Sequence, residues 1–574
     1  MTAPEITIPD RLNMAQWFLD ARLDEGLGDK TAIYYHGSDT PGDGPRELSY
    51  AGLVAESCRV TNLLRELGLG IEDRVLILMT DSPAWAAAYF GILRAGCVAV
   101  PANAWLEAKD YAYYLEYARP KAVIVDAEIW SKVDEARRTE GRHTRHFIVH
   151  DRSGATTPAG TVDFNRACAA LPTTAETEPT YRDDFATWLS SSGSTGNPKC
   201  VVHMHHDFVW NTIAYAQRTL KLGRDDITLS APKLFFGYAL ASNMLFPFSV
   251  GGSCVLLPHR VAPAEYFALL ARYRATQFVT VPTTIAKMVA AAESEGAADG
   301  HDLSRLHSLI SAGEALPPRV FRAWHQRFRA EIYDGIGSAE MFHVYITNRP
   351  GDVREGSLGR IVEGYEYELI DDAGKRIEGT GQIGTLVIRG PSAGLCYWRM
   401  RDKSRETFRG DAVVGGDKFM IDADGYFWYC GRGDDMLKCS GVYVSPVEVE
   451  NALIGHAAVR EAGVVGYRDE DGLEKTMAYV ELHPHCPEQA GEALAAAVAR
   501  YPRAKTIRWV QEEPQNMGAW TFMEPNIEWV LQQAEAKITR PRYAGRPASA
   551  STAAGSVQKH KEEQDALIND ALTL

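Results

Sequence analysis

Hydroxyls, glycines and one lysine crowd a single stretch, Ser190–Lys199, which reads SSSGSTGNPK. Glycine lets the backbone approach an anion closely, and successive N–H groups form a nest for phosphate oxygens. Ser191, Ser192, Ser194 and Thr195 add hydroxyl donors around Gly193 and Gly196. Lys199 adds a point charge suited to β- and γ-phosphates. Asn197 and Pro198 separate the last glycine from the lysine, so the spacing is not that of a Walker loop. A flexible Ser/Gly linker would need neither the Pro-Lys ending nor the strand read after it at Cys200–Val202. The stretch therefore predicts a phosphate-binding loop that follows the apolar segment Phe185–Leu189.

Such a loop needs a rigid frame, and the surrounding pattern supplies one. Arg74–Met79 reads as a buried strand, Ser82–Ala95 as a helix, Cys97–Pro101 as a strand, Asp110–Tyr117 as a helix and Ala122–Asp126 as a strand. That β-α-β-α order predicts an α/β fold with a largely parallel sheet. The pattern recurs at Cys254–Leu257, Phe278–Val281 and Ser308–Ser311. Beyond about Gly356, strands such as Tyr367–Ile370 and Gly384–Ile388 alternate with turns such as Asp371–Gly374, which predicts a small β-rich subdomain. Residues 543–555, YAGRPASASTAAG, read as loop, and Gln558–Leu572 as a charged terminal helix.

At 574 residues the chain is too long for one core. Its 45% hydrophobic and 24% charged residues are ordinary for a soluble globular protein. A formal net charge of -15 argues against a nucleic-acid binder. No apolar run reaches the length of a membrane span, and the N-terminus lacks the basic start and apolar core of a secretory signal. Nine scattered cysteines without a C-x-x-C pair indicate neither a disulfide framework nor a zinc site. A cytoplasmic enzyme with reduced thiols is the expectation.

The Ser190–Lys199 loop resembles the signature of the ANL superfamily of acyl-CoA synthetases, peptide-synthetase adenylation domains and luciferases, and further signatures follow in that family's order. Ser311–Pro317 (SAGEALP) looks like the adenine-binding segment, with Gly313, Glu314 and Ala315. Asp334–Glu340 (DGIGSAE) looks like the segment that stacks on adenine and binds magnesium, the latter through Glu340, with Asp334 and Gly335 among the implied cofactor-binding residues. Asp417 looks like the ribose aspartate, and Arg432 the ribose arginine before a hinge at Asp434. Ser440–Glu448, with Gly441, resembles the loop that lines the thiol tunnel after the hinge turns, and Lys438 precedes it.

The resemblance covers about residues 15–482 and is strongest to benzoate-CoA ligases and their aryl relatives. It implies that Tyr238, Ile336 and His343 line an aryl pocket with Phe236 on the ATP side. It implies catalytic roles for Lys199, Thr195, Glu340 and Asp434, and the use of ATP, Mg2+ and coenzyme A. The implied fold is a large adenylation domain with parallel sheets and a β-rich subdomain, carrying a small mobile α+β domain. The implied chemistry is attack of an aromatic carboxylate on ATP to give an acyl-adenylate, followed by thioester formation. A homodimer is left open.

The sequence departs from the family at three places. Cys200 stands where the family has glycine, and Ala339 where it has threonine. The usual ending, P-K-T-x-x-G-K-I-x-R, whose lysine drives adenylation, has no counterpart; Lys537–Arg540 comes nearest. From about His485 the chain resembles instead the extreme C-terminus of the thiamine-dependent component of 2-oxoglutarate dehydrogenase, through Ala499–Trp520 and Arg540–Ala550. No thiamine-diphosphate motif accompanies it. The sequence thus reads as a chimera of three parts: residues 1–433 an adenylation domain, 434–484 a truncated mobile domain, and 485–574 a dehydrogenase-like α/β fragment. An adenylation-deficient protein that still binds ATP and aryl acid is the alternative reading, and a docking role for the tail a third.

Overall fold

The structure is a computed structural model that describes residues 5–37, 47–153, 157–191, 197–433, 437–439, 442–456, 459–468, 474–482, 506–511, 515, 520–533 and 538–547. The chain divides into two compact units. The first comprises Met1–Leu316, Val320–Gly415 and Met420–Trp428. The second comprises Pro317–Arg319, Gly416–Phe419 and Tyr429–Leu574.

Two large sheets build the first unit. One has eight strands, with Arg74–Leu78, Val98–Pro101, Ala122–Asp126 and His146–His150 parallel at its centre. These runs are apolar because helices cover both faces of a parallel sheet. At one side the sheet turns antiparallel: Phe185–Ser191 pairs with Lys199–Met204, which pairs with Cys396–Tyr397. The second sheet has nine strands, with Ile227–Ser230, Gln277–Thr280, Ser308–Ser311 and Glu331–Gly337 parallel in its middle.

Local chemistry explains where elements start. Helix Pro83–Arg94 opens with proline at its first turn, and Ser82 accepts a hydrogen bond from the Trp85 amide at 3.1 Å. Such a cap stabilises by about 1 kcal/mol. Helix Ala108–Ala118 begins two residues before the expected Asp110, whose carboxylate accepts from the Glu107 amide at 3.1 Å. The expected strands at Ala122–Asp126 and Ser308–Ser311 are present with those bounds.

The β-rich texture after Gly356 is a sheet built on Glu366–Ile370, Gly384–Arg389 and Ala412–Ile421. In the second unit, helix Pro446–Ile454 packs on the antiparallel pair Val459–Arg468 and Glu474–Leu482, burying Leu437, Leu453 and Val464. Arg508–Gln511 and Arg542–Gly545 run parallel, separated in sequence by helix Trp520–Gln533. The reading of residues 543–555 as loop is corrected there: Tyr543, Ala544 and Gly545 lie in a strand, and Ala544 is fully buried. The terminal helix expected at Gln558–Leu572 lies outside the described residues. No helix among the described residues is long and apolar enough to cross a membrane.

Candidate active site

Ser191 and Lys199 face each other across the antiparallel pair, so the phosphate-loop candidate is the connection of a hairpin. Ser192, Gly193, Ser194, Thr195 and Gly196 lie outside the described residues. Both stems are pinned by one helix, Ala108–Ala118. The Tyr113 hydroxyl donates to the Pro198 carbonyl at 2.8 Å, and the Tyr114 hydroxyl to Ser190 Oγ at 3.0 Å. Cys200 packs into the core with no exposed surface, and burial pushes its thiol up to about 12.

Lys199 Nζ lies 4.4 Å above the ring centroid of Tyr397. The Tyr397 hydroxyl donates to Glu340 Oε1 at 2.6 Å. The loop lysine and the proposed metal carboxylate thus meet on one tyrosine, which no sequence motif had singled out. Glu340 sits in the short 3-10 turn Ala339–Met341. Its carbonyl accepts from the Gly394 amide at 2.8 Å, and the Ala339 carbonyl lies 2.7 Å from His203 Nε2. His203 Nδ1 lies 2.8 Å from the buried carboxylate of Asp207.

Phe342 follows with φ 67° and ψ −56°, and the His343 amide donates back to the Met341 carbonyl at 2.9 Å. This is a three-residue γ-turn of the strained kind, costing on the order of 1–3 kcal/mol. A Cβ at Gly337 would sit 2.5 Å from the His343 carbonyl oxygen, so only glycine permits the approach.

The turn delivers His343 into a wall of aromatic side chains. Its ring stacks on Tyr238 at 5.5 Å and 20°, with Tyr215 at 5.6 Å and Phe246 at 4.8 Å. Burial lowers the imidazole to about 4, so it is neutral. Nε2 lies 3.1 Å from the Tyr238 carbonyl and 3.0 Å from Ser242 Oγ. Nδ1 is buried with no hydrogen-bond partner. The Tyr238 hydroxyl donates to the carbonyls of Ile310 at 2.9 Å and Thr280 at 3.1 Å, which fixes its ring at the ends of two parallel strands.

Ile336 is half-buried and pairs with Ile346 on the next strand. Phe236 is 48% exposed, its ring against Phe235. The structure thus joins Tyr238 and His343 directly, and places Phe236 at the surface. The base of the Phe236–Tyr238 segment is held by two groups the sequence reading missed. Lys233 Nζ, buried, donates to the Leu257 carbonyl at 2.7 Å, and buried Asp81 accepts from the Leu234 amide at 2.9 Å.

The adenine-segment residues occupy the same end of the nine-stranded sheet. Gly313 has φ +90°. Glu314 Oε2 accepts from the amide and hydroxyl of Thr283 at 2.9 and 2.6 Å, on the first turn of helix Pro282–Ser294. Ala315 is exposed. Asp334 is buried and accepts from Ser311 Oγ at 2.7 Å; burial nevertheless pushes its carboxyl up to about 7. Gly335, between Asp334 and Ile336, abuts the Ile346 carbonyl.

In the second unit, Arg432 Nε lies 3.8 Å from Asp417 Oδ1. Lys438 belongs to strand Leu437–Cys439, its side chain outside the described residues, as are Asp434 and Gly441.

Among the described residues no group of three or more His, Cys, Asp or Glu could hold a metal alone. Magnesium sites commonly use one carboxylate plus substrate phosphates. Glu340 supplies the one carboxylate of that donor set.

Residues 21–398 match the model of the AMP-binding enzyme family, and residues 462–572 that of the 2-oxoglutarate dehydrogenase C-terminal family. A benzoate–CoA ligase of Thauera aromatica is 38% identical over 519 residues, covering 89% of this chain and 94% of that enzyme. A 4-hydroxybenzoate–CoA/benzoate–CoA ligase of Rhodopseudomonas palustris is 37% identical, covering 82% and 84%. Among solved structures, the anthranilate CoA ligase AuaEII with anthranoyl-AMP superposes with a TM-score of 0.79 at 33% identity, covering 98% of this chain and 99% of that one. A benzoate CoA ligase from Burkholderia xenovorans gives 0.73 at 34% identity, covering 96% and 100%.

Proposed function

Because this chain belongs to the AMP-binding enzyme family, we propose that it is an ATP-dependent acid–thiol ligase that joins an aromatic carboxylate of the benzoate class to coenzyme A. A carboxylate oxygen attacks the α-phosphorus of ATP, the bond to the β-phosphate oxygen breaks, and pyrophosphate leaves. The thiolate of coenzyme A then attacks the acyl carbonyl of the adenylate and expels AMP. The observation that carries this reading is the meeting of Lys199 and Glu340 on Tyr397 beside the hairpin loop.

Lys199 and the loop of Ser191–Gly196 hold the phosphates, with Thr195 donating to them. Gly313, Glu314, Ala315, Asp334 and Gly335 hold the adenine, and Asp417 and Arg432 the ribose. Glu340, together with the phosphates, would hold magnesium, which would supply positive charge to offset that of the leaving pyrophosphate. Tyr238, Ile336 and His343 enclose the ring, and Phe236 separates it from the nucleotide. Asp434 is the hinge, after which Lys438 and Gly441 line the thiol path. Residues 1–433 act as the adenylation domain, 434–484 as the mobile domain and 485–574 as the dehydrogenase-like tail, in a cytoplasmic protein.

The ending P-K-T-x-x-G-K-I-x-R has no counterpart in this sequence, which favours as second reading a protein deficient in the first half-reaction. Mass-spectrometric detection of aryl-CoA separates the two. The purified protein is given MgATP, coenzyme A and benzoate, hydroxybenzoates or anthranilate, and in parallel preformed benzoyl-adenylate. Product from both reactions supports the ligase. Product from the adenylate alone supports the second reading. Product from neither overturns the proposal.

A further inference from the structure

Tyr397 binds a cation and an anion with two different parts of one side chain. The ammonium of Lys199 lies over its ring face, where the π-system is negative. The carboxylate of Glu340 lies at its hydroxyl, 2.6 Å away. Each contact strengthens the other. A phenol that donates to a carboxylate gains electron density, and a richer ring attracts the ammonium more strongly.

The ring is also rigid. Tyr397 is buried, its strand pairs with Val201 two residues beyond Lys199, and its amide donates to Ser404 Oγ at 3.0 Å. Phe408 packs on the ring edge at 5.1 Å.

We propose that Tyr397 is a positioning residue for the triphosphate: its hydroxyl screens the Glu340 carboxylate from ATP until a divalent cation does so, while its ring seats Lys199 at the loop mouth. This rests on the ligase reading of the site. Without the hydroxyl and without metal, Glu340 would repel the phosphates and compete with them for Lys199. With metal bound to Glu340, the hydroxyl should matter little.

The test is ATP affinity by titration calorimetry, in EDTA and in saturating Mg2+, for the parent chain, Tyr397→Phe and Tyr397→Leu. A hydrogen bond to a charged group is worth roughly tenfold in an equilibrium constant. Tyr397→Phe is therefore expected to weaken metal-free binding by about tenfold and binding with Mg2+ by no more than about twofold. Tyr397→Leu, which also removes the seat of Lys199, should weaken both. Equal loss for Tyr397→Phe in EDTA and Mg2+, or no loss in either, would overturn the inference and leave the ligase reading standing. A parent chain that binds no ATP even with Mg2+ would overturn both.

Discussion

Asp334 places a carboxyl where water scarcely reaches, and that choice has a measurable cost. Burial raises it to about 7 in spite of the hydrogen bond from Ser311. In the unfolded chain it titrates near 3.9. The folded chain therefore holds this proton more tightly than the unfolded chain does. The associated stability is full below about pH 4 and is lost as pH rises towards 7, at about 1.4 kcal/mol per pH unit. The whole loss is on the order of 4 kcal/mol. Asp334→Asn keeps the shape, keeps an oxygen that can accept from Ser311, and removes the titration. Between pH 5 and pH 7 the variant should gain about 2.3 kcal/mol of stability relative to the parent chain, with only about 0.4 kcal/mol more from pH 7 to 9. Urea unfolding followed by tryptophan fluorescence at unit steps of pH measures that difference. A difference that does not change with pH would refute the argument, and one that changes with the opposite sign would show the carboxylate to be paired rather than desolvated.

Lys199→Ala should slow adenylation by about a hundred- to a thousandfold, while thioester formation from preformed adenylate, followed by mass spectrometry, changes much less. Gly337→Ala forces a Cβ to within 2.5 Å of the His343 carbonyl. It should destabilise the first unit by about 1–3 kcal/mol and, in binding titrations, weaken benzoate more than ATP. The Cys200 thiol, pushed up to about 12 by burial, should resist iodoacetamide at pH 8 and react once urea is added. Peptide mass spectrometry reads both states, and labelling of the native chain would contradict the packing described.

Strands were legible where they are buried on both faces, because an uninterrupted run such as AVIVD admits few other readings. The strand Arg542–Gly545 was not legible. It is short and rich in small residues, and it exists because Arg508–Gln511 offers a parallel partner more than thirty residues away. The phosphate-loop candidate announced itself because its chemistry is local, with donors, glycines and lysine adjacent in sequence. Tyr397 could not announce itself. It lies nearly two hundred residues from Lys199 and becomes its neighbour only through the pairing of Tyr397 with Val201. Lys233 and Asp81 are a similar case. Each looks like a surface charge in sequence, and only the packing shows that the first anchors the Leu257 carbonyl and the second the Leu234 amide.

The segment Glu340–His343 shows what one unfavourable backbone conformation can achieve. An ordinary helix would place residues three apart on the same face. Here Phe342 turns the chain over in a single residue, so Glu340 looks toward Tyr397 and Lys199 while His343 stacks on Tyr238. One short segment thereby contributes to the charged cluster and to the aromatic wall, the two halves that an acid and a nucleotide would have to bring together. The strain is sustained by packing. The Phe342 ring lies 4.3 Å from that of Phe208 and is buried, and Gly337 leaves room for the His343 carbonyl. Relief of the strain by Phe342→Gly would sacrifice that packing, which for a buried phenylalanine is worth about 3–5 kcal/mol against the 1–3 kcal/mol held in the turn. The conformation therefore persists because the aromatic side chain stabilises more than its own backbone costs, and the distance between the charged cluster and the aromatic wall is set by the backbone turn at Phe342.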